Sequence, residues 1–560
     1  MSRRSSGSPR RAAPGVEGRR KTALPRVEGR RAQARRPPAE SKPPSSERRL
    51  AGGAQPGLAA PPFARILVAN RGEIAVRIMR ACDEMGIWAI AVHSDADREA
   101  LHVQYAREAY SIGPPPAAES YLDIGRILSA AKASGAQAIH PGYGFLAENP
   151  EFARACAAAG IVFIGPSPEA MAAMGDKVRA REIMRDAGVP VVPGTPALSG
   201  DATEVARRAR EIGYPILLKA AAGGGGKGMR LVRVEAELPS LLAQARGEAR
   251  SSFGDDRIFL EKFVERPRHI EVQILADRHG HCVHLGEREC SIQRRHQKLI
   301  EECPSPVVDE ATRARIGEMA VKAARAAGYT SAGTVEFLRG QDGSFYFMEM
   351  NARLQVEHPV TEMVTGLDLV KEQIQIAAGS FLSVRQEDVV LRGHAVECRI
   401  IAEDPSRNFM PSPGKIRGLS VPSGPGIRYD GGTYEGYSVP VHYDPLLSKL
   451  IAWGRDRGEA IARMARALHE YRIEGLDTSI PFHRKVMEHE AFLAGDLSTA
   501  FLEEHPELLA PKHDPWLDEI ALIAAAVAHF RRIEQSSKSG PGSGNARPRS
   551  AWKWADGGDR

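Results

Sequence analysis

Short apolar runs recur between amphipathic stretches along most of the chain, and their order predicts a multidomain α/β and α+β protein. Residues 65–69 (RILVA) read as a strand, 70–73 (NRGE) as a turn, and the stretch to residue 85 as a helix. Residues 88–92 follow as the next strand, with later strands expected at 137–140 and 162–165. Strand, glycine turn, helix and strand make a βαβ unit, so a doubly wound parallel sheet is expected first. A helix is predicted over 174–187, then strands at 216–219 and 229–234 flanking a run of glycines. Further strands are predicted at 270–274, 334–338, 345–350 and 394–401, with helices at 457–468 and 517–530.

Residues 347–362 break this rhythm. Side chains repeat every second residue on a strand, so Glu349, Asn351 and Arg353 are expected on one face. A carboxylate, an amide and a guanidinium aimed the same way need a partner, a metal or an anion if buried. The polar run 355–359 ends at Pro359 and is read as a site loop. Glu336, in a strand one hairpin earlier, joins Glu349 and Asn351 as a candidate Mg²⁺ site of hard oxygen donors.

The glycine run Gly223, Gly224, Gly225, Gly226, Lys227 and Gly228 lets backbone N–H groups approach an anion. It is no Walker A loop, because neither Ser nor Thr follows the lysine. Such a loop serves a plain surface hairpin equally well, so it carries weight only with Lys177 and Lys219 nearby. Residues 291–298 form a dense polar and basic run, either a solvated face or a set of anion donors.

At 560 residues the chain exceeds one core, and its 42% hydrophobic and 26% charged content is ordinary for a globular protein. Six cysteines without a Cys-x-x-Cys pair argue against a disulfide scaffold or structural zinc, and fit a reducing cytoplasm. No run is apolar enough to span a membrane. The net charge of +6 is uneven, because residues 1–62 hold 15 Lys or Arg against 4 Glu. The rest of the chain is therefore mildly acidic, which excludes a nucleic-acid-binding body. Residues 1–62, rich in Arg, Pro, Ser and Gly, are expected to be a disordered basic extension.

The glycine flap, the two lysines and the paired acidic strands resemble the ATP-grasp superfamily. Within it, ordered blocks at 66–77 (ILVANRGEIAVR), 140–146 (HPGYGFL), 223–229, 287–298 (ERECSIQRRHQK), 349–362 (EMNARLQVEHPVTE) and 393–400 (GHAVECRI) resemble biotin carboxylases. The resemblance spans residues 64–504. It implies an N-terminal Rossmann-like domain at 63–175, an ATP-grasp domain at 176–390 with a lid near 192–262, and a C-terminal biotin carboxylase domain at 391–505. A helix and tail follow at 506–560.

The resemblance also implies roles. Lys177, Lys219 and the 223–228 flap would hold ATP phosphates. Glu261, Lys262 and Val264 would face adenine, and His269, Gln293 and His296 the ribose and its surroundings. Glu336, Glu349 and Asn351 would bind Mg²⁺ or Mn²⁺. Lys298, Arg353, Gln355 and Val356 would bind bicarbonate, with Glu357 as general base. Arg399 would stabilise the biotin enolate, with Tyr143 and Asp444 near the ring.

The chain contains no Met-Lys dipeptide of the kind that carries biotin in this family. The expectation is therefore action on a separate biotin carboxyl carrier protein, with a separate carboxyltransferase, as a homodimer that engages neither membrane nor nucleic acid. The implied activity is the first half-reaction of an acetyl-CoA or related acyl-CoA carboxylase. The same chemistry in a two-subunit pyruvate carboxylase, or another ATP-grasp carboxylate–amine ligase, is the alternative.

Overall fold

A parallel sheet opens the folded part, as the βαβ pattern predicts. The computed structural model describes residues 61–196, 198, 201–220, 229–253, 256–510 and 515–538. Its first sheet has the spatial order Glu108–Ser111, Trp88–His93, Arg65–Val68, Ala138–His140 and Val162–Phe163, all parallel. The order reverses beside Arg65–Val68, where open α/β sheets place ligands at their carboxyl edge. Two connections leave that edge side by side. Asn70 ties them together, donating from Nδ2 to the carbonyls of Pro141 and Tyr143 at 2.7 Å each. Gly142 makes this approach possible: its φ is +65°, and a Cβ there would meet Asn70 Nδ2 at 3.0 Å.

A small antiparallel sheet follows, with Ile216–Ala220 between Arg230–Val232 and Ile258–Lys262. Helices Ala202–Ile212 and Leu238–Phe253 cover it, burying Val205, Ala209, Leu242 and Ala245 against Ile216, Leu218 and Leu260. The predicted flap, Gly223 to Gly228, lies outside the described residues, as does the basic extension through residue 60.

The body is one eight-stranded antiparallel sheet. Its spatial order is Phe345–Asn351, Ser331–Arg339, Arg268–Ala276, Cys282–Arg294, Gln297–Cys303, His394–Ile401, Leu446–Gly454 and Ile427–Gly431. The strands expected of two separate regions are thus hydrogen-bonded into a single sheet. The join is Gln297–Cys303 against His394–Ile401, with Ile300 opposite Cys398. Segregated apolar clusters back its two halves.

Four local expectations are corrected. The helix predicted over 174–187 is two helices, Pro168–Gly175 and Lys177–Asp186. Asp176 separates them, because its carboxylate caps the second by accepting from the N–H groups of Val178 and Arg179. The run ending at Pro359 is no loop stop. Pro359 sits in the first turn of helix His358–Thr365, where a missing N–H costs nothing. Arg353 does not share the strand face of Glu349, since that strand ends at Asn351. The predicted 517–530 helix runs longer, over Pro515–Lys538. No described helix is long and apolar enough to cross a membrane.

Candidate active site

A row of charge crosses four strands of the large sheet. Arg288 stands opposite Glu271, Glu271 opposite Glu336, and Glu336 opposite Glu349. Like charges directly opposed on a sheet repel, so three carboxylates in register demand cations. Arg288 supplies one, its Nε donating to Glu271 Oε1 at 2.5 Å. Lys298 supplies the second. Its Nζ lies 2.5 Å from Glu271 Oε2, 3.0 Å from Glu336 Oε1 and 2.6 Å from Glu357 Oε1.

A bulge aims Lys298 into this cluster. Ile292 faces Ile300, but the next residue, Gln293, faces Lys298, so Leu299 is an extra residue in its strand. One extra residue inverts the alternation. Lys298 and Glu301, three apart, consequently serve the same side of the sheet. Sequence alternation alone would have set them on opposite faces.

Glu357 sits at the N-cap of helix His358–Thr365, yet its side chain makes no cap hydrogen bond. It instead bridges two cations, Lys298 and Arg399, whose Nη2 donates to Glu357 Oε2 at 2.8 Å. Burial disfavours the charge on Glu357, but Lys298, Arg399 and Arg288 outweigh it and hold this carboxyl well below the usual range. Burial also opposes the ammonium of Lys298. The carboxylates of Glu271, Glu336 and Glu357 overcome that and raise it well above the ordinary lysine value.

Around Glu336 the donors are dense. Oε1 accepts from Lys298, from Asn351 Nδ2 at 2.9 Å and from Gln355 Nε2 at 3.0 Å, while His269 Nε2 lies 3.1 Å from Oε2. Beyond the strand end, Arg353 folds back. Its Nη2 donates to Asn351 Oδ1 at 3.0 Å, Nη1 to Gln355 Oε1 at 2.9 Å, and Nε to Glu148 Oε2 at 3.0 Å. Val356 contributes a carbonyl, which accepts from Lys449 Nζ at 2.9 Å.

The cluster opens on one side. A cavity of about 180 Å³ is lined by Lys177, Glu148, Glu349, Asn351 and neighbouring methionines. Lys177 is 80% exposed there and stands 3.5 Å from Glu349 Oε2, itself 39% exposed. Glu349, Glu336 and the Asn351 amide are hard oxygen donors side by side, a set suited to Mg²⁺ or Mn²⁺. Lys219 and Arg181 both pair with Glu261. Lys262 donates to the carbonyls of Gly213 and Tyr214, and Val264 is half-buried. Gln293 is buried opposite Lys298, whereas His296 is exposed in the tight turn between two strands. His269, expected with ribose, packs against Glu336. Tyr143 hydrogen-bonds Glu73, which pairs with Lys449 at 3.2 Å, and the fields of Arg399 and Asp444 reach the Tyr143 ring oxygen.

Sequence reasoning missed Glu271, Arg288, Glu301, Glu148 and Glu73. A signal existed for the first: His269, Glu271 and Gln273 alternate on one strand, and all three are buried. Glu301 is set by the pairing of Gln297–Cys303 with His394–Ile401, and Glu73 and Glu148 reach the site from a helix and a loop of the first domain, contacts for which the sequence holds no local sign.

Three family models match the chain in order. They are the biotin carboxylase N-terminal domain over residues 62–171, the ATP-binding domain of the carbamoyl-phosphate synthase L chain over 176–385, and the biotin carboxylase C-terminal domain over 397–504. A biotin carboxylase of Nostoc sp. is 58% identical over 442 residues, covering 79% of this chain and 99% of the relative. The propionyl-CoA carboxylase alpha chain of Ruegeria pomeroyi is 49% identical over 494 residues, covering 84% of this chain and 72% of the relative. Among solved structures, the biotin carboxylase domain dimer of Hydrogenobacter thermophilus 2-oxoglutarate carboxylase, with MgADP, ADP and bicarbonate, matches with a TM-score of 0.74 and 49% identity. That match covers 80% of this chain and 99% of the other.

Proposed function

The chain belongs to the biotin carboxylase family and is an ATP-dependent ligase, and from that premise we propose how its site works and which enzyme it serves. The observation that carries the reading is one buried carboxylate, Glu357, bridging the ammonium of Lys298 and the guanidinium of Arg399. A bicarbonate anion entering there meets a base and cations together.

On this reading Lys298, Arg353, Gln355 and the Val356 backbone hold bicarbonate beside Glu357. Glu357 accepts the bicarbonate O–H proton, and the freed oxygen attacks the γ-phosphorus of ATP while ADP leaves. The pairing seen here makes Glu357 a weak base. Sharing Lys298 and Arg399 with the incoming anion relieves that depression and raises its basicity. Lys177, Lys219 and the 223–228 segment hold the phosphates, with Glu261, Lys262 and Val264 toward adenine and His269, Gln293 and His296 toward the ribose side. Glu336, Glu349 and Asn351 would hold Mg²⁺ or Mn²⁺, which when bound offsets phosphate charge. The resulting carboxyphosphate releases CO₂ beside biotin, and the released phosphate takes the ureido N–H proton. Arg399 then faces the enolate oxygen with a planar donor fork, which a lysine lacks. Tyr143 and Asp444 line the same side.

The biotin is that of a separate carrier protein, with a separate carboxyltransferase and a homodimeric arrangement like that of the Hydrogenobacter structure. Support comes from the near-complete coverage of the Nostoc biotin carboxylase. The acceptor enzyme is an acyl-CoA carboxylase, acetyl-CoA first among its substrates. The propionyl-CoA carboxylase alpha chain matches 84% of this chain, against 79% for the Nostoc protein, which supports an acyl-CoA acceptor.

The test is ATP hydrolysis by the purified chain with Mg²⁺ and bicarbonate, with and without free biotin. Stimulation that requires bicarbonate and rises with biotin is expected. ATP binding without it overturns the reading. Reconstitution with carrier and transferase fractions then asks whether acetyl-CoA or pyruvate is carboxylated, and pyruvate alone would replace the acyl-CoA assignment.

A further inference from the structure

Arg399 rests on two carboxylates, and the proposed function uses one of them. The second is Glu301, whose Oε1 accepts from Arg399 Nε at 2.6 Å. Glu301 is fully buried on strand Gln297–Cys303, in direct register with Glu397 on His394–Ile401. Opposed residues of an antiparallel pair share a face. Two buried carboxyl groups therefore stand side by side behind the guanidinium.

They are short of partners. Glu301 Oε2 and both side-chain oxygens of Glu397 are buried without a hydrogen-bond partner among the described residues. The neighbouring strand does bring a cation near, Lys449, which stands opposite Arg399. Its Nζ is committed elsewhere, to the Val356 carbonyl at 2.9 Å and to Glu73 at 3.2 Å. The remaining charges that reach Glu397 are Arg399, Glu301 and Glu357. Arg399 is already shared with Glu357, Lys449 with Glu73 and Lys298 with Glu271, Glu336 and Glu357, so these cations cannot neutralise two more buried anions, and one carboxyl must keep its proton. Burial outweighs the pull of Arg399 on Glu301 and of Lys449 on Glu397, and with the neighbouring carboxylates it pushes Glu301 up to about 7 and Glu397 well above the carboxylate range.

We propose that Glu301 and Glu397 hold one proton between them, resident mainly on Glu397, and that the charged Glu301 is a positioning residue for Arg399 in the biotin half-reaction. A neutral Glu397 leaves one negative charge to anchor Nε, so the guanidinium plane is fixed from behind. Two ionised groups would draw Arg399 back from Glu357. Two neutral groups would leave its whole charge on Glu357 and weaken that base further. The inference rests on the function proposed above for Arg399.

The test uses the full chain and two isosteric variants. Glu301→Gln should lower biotin carboxylation about 10²-fold, the scale of a misplaced reacting group. Bicarbonate-dependent ATP hydrolysis without biotin should change far less, so carboxybiotin formed per ATP falls. Glu397→Gln keeps a neutral group of the same shape and should leave both activities near wild type. Equal loss of both activities in Glu301→Gln, or damage from Glu397→Gln matching it, overturns the proposal. A second measurement does not depend on turnover. The infrared difference spectrum of wild type minus Glu397→Gln at neutral pH should show a protonated-carboxyl C=O stretch. A spectrum without it overturns the shared proton even if the variants lose activity. Wild type lacking biotin-dependent turnover, with that band present, would instead remove the functional reading and leave the carboxyl pair standing.

Discussion

The two ends of this site solve the same electrostatic problem differently. At the inner end, Glu271, Glu336 and Glu357 are buried, and the protein supplies its own cations in Arg288, Lys298 and Arg399. At the outer end, Lys177 and Glu349 meet at 3.5 Å across an open cavity, both in contact with solvent. Buried charges lose hydration and must be paired by neighbours fixed in place. Exposed ones keep water until a ligand replaces it. The inner end is therefore preorganised for a small anion, whereas the outer end is completed by what binds.

The sharpest way to break this comparison is at Glu357. Glu357→Gln should lower bicarbonate-dependent turnover about 10²- to 10⁴-fold, the usual worth of a general base, while ATP binding by equilibrium titration is retained. Unchanged turnover would remove its role as base. Next comes Lys298→Met, which leaves the carboxylates of Glu271, Glu336 and Glu357 facing one another. Breaking a buried ion cluster costs about 3–5 kcal/mol, so the urea midpoint should drop clearly. A midpoint equal to wild type would mean the cluster is not held as described.

Lys177→Ala probes the outer end. The KM for ATP should rise about tenfold, equivalent to about 1.4 kcal/mol, with the urea midpoint unmoved. A stability loss like that of Lys298→Met would erase the distinction between the two ends. The smallest expected effect is in the pH dependence of melting near neutrality. Glu357 is depressed in the folded state, so its contribution is present above about pH 4.3, the unfolded value, and is lost as pH falls through its lower folded value. Lys298 is raised, so its contribution is present below about pH 10.4 and lost as pH rises through its higher folded value. The contribution of the Glu357–Lys298 pair to wild-type stability should thus be flat between those limits. A wild-type melting temperature that does not fall as the pH drops below about 4.3 would contradict the pairing.

Much of the fold was legible from period. Strands Arg65–Val68 and Trp88–His93 fall where short apolar runs lie, because burial on both faces selects continuous apolar sequence, and His394–Ile401 falls where apolar and charged residues alternate. The paired strands bearing Glu336 and Glu349 were legible too, since a charged residue amid aromatic strand residues has few stable explanations. Asp176 was misread because it ends one helix and caps the next, and Pro359 because proline fits a first helical turn as well as a loop.

The sequence alone determined the order of elements, the family, and which side chains carry charge where charge is costly. Those are properties of local period and of residue type. The tertiary structure decided which charges face one another. Glu271 lies 65 residues before Glu336, yet pairing of their strands sets them opposite. One extra residue at Leu299 turns Lys298 toward Glu357. The joining of Gln297–Cys303 to His394–Ile401 brings Glu301 behind Arg399. Register is a property of two strands together, and a one-residue shift in either changes every partner.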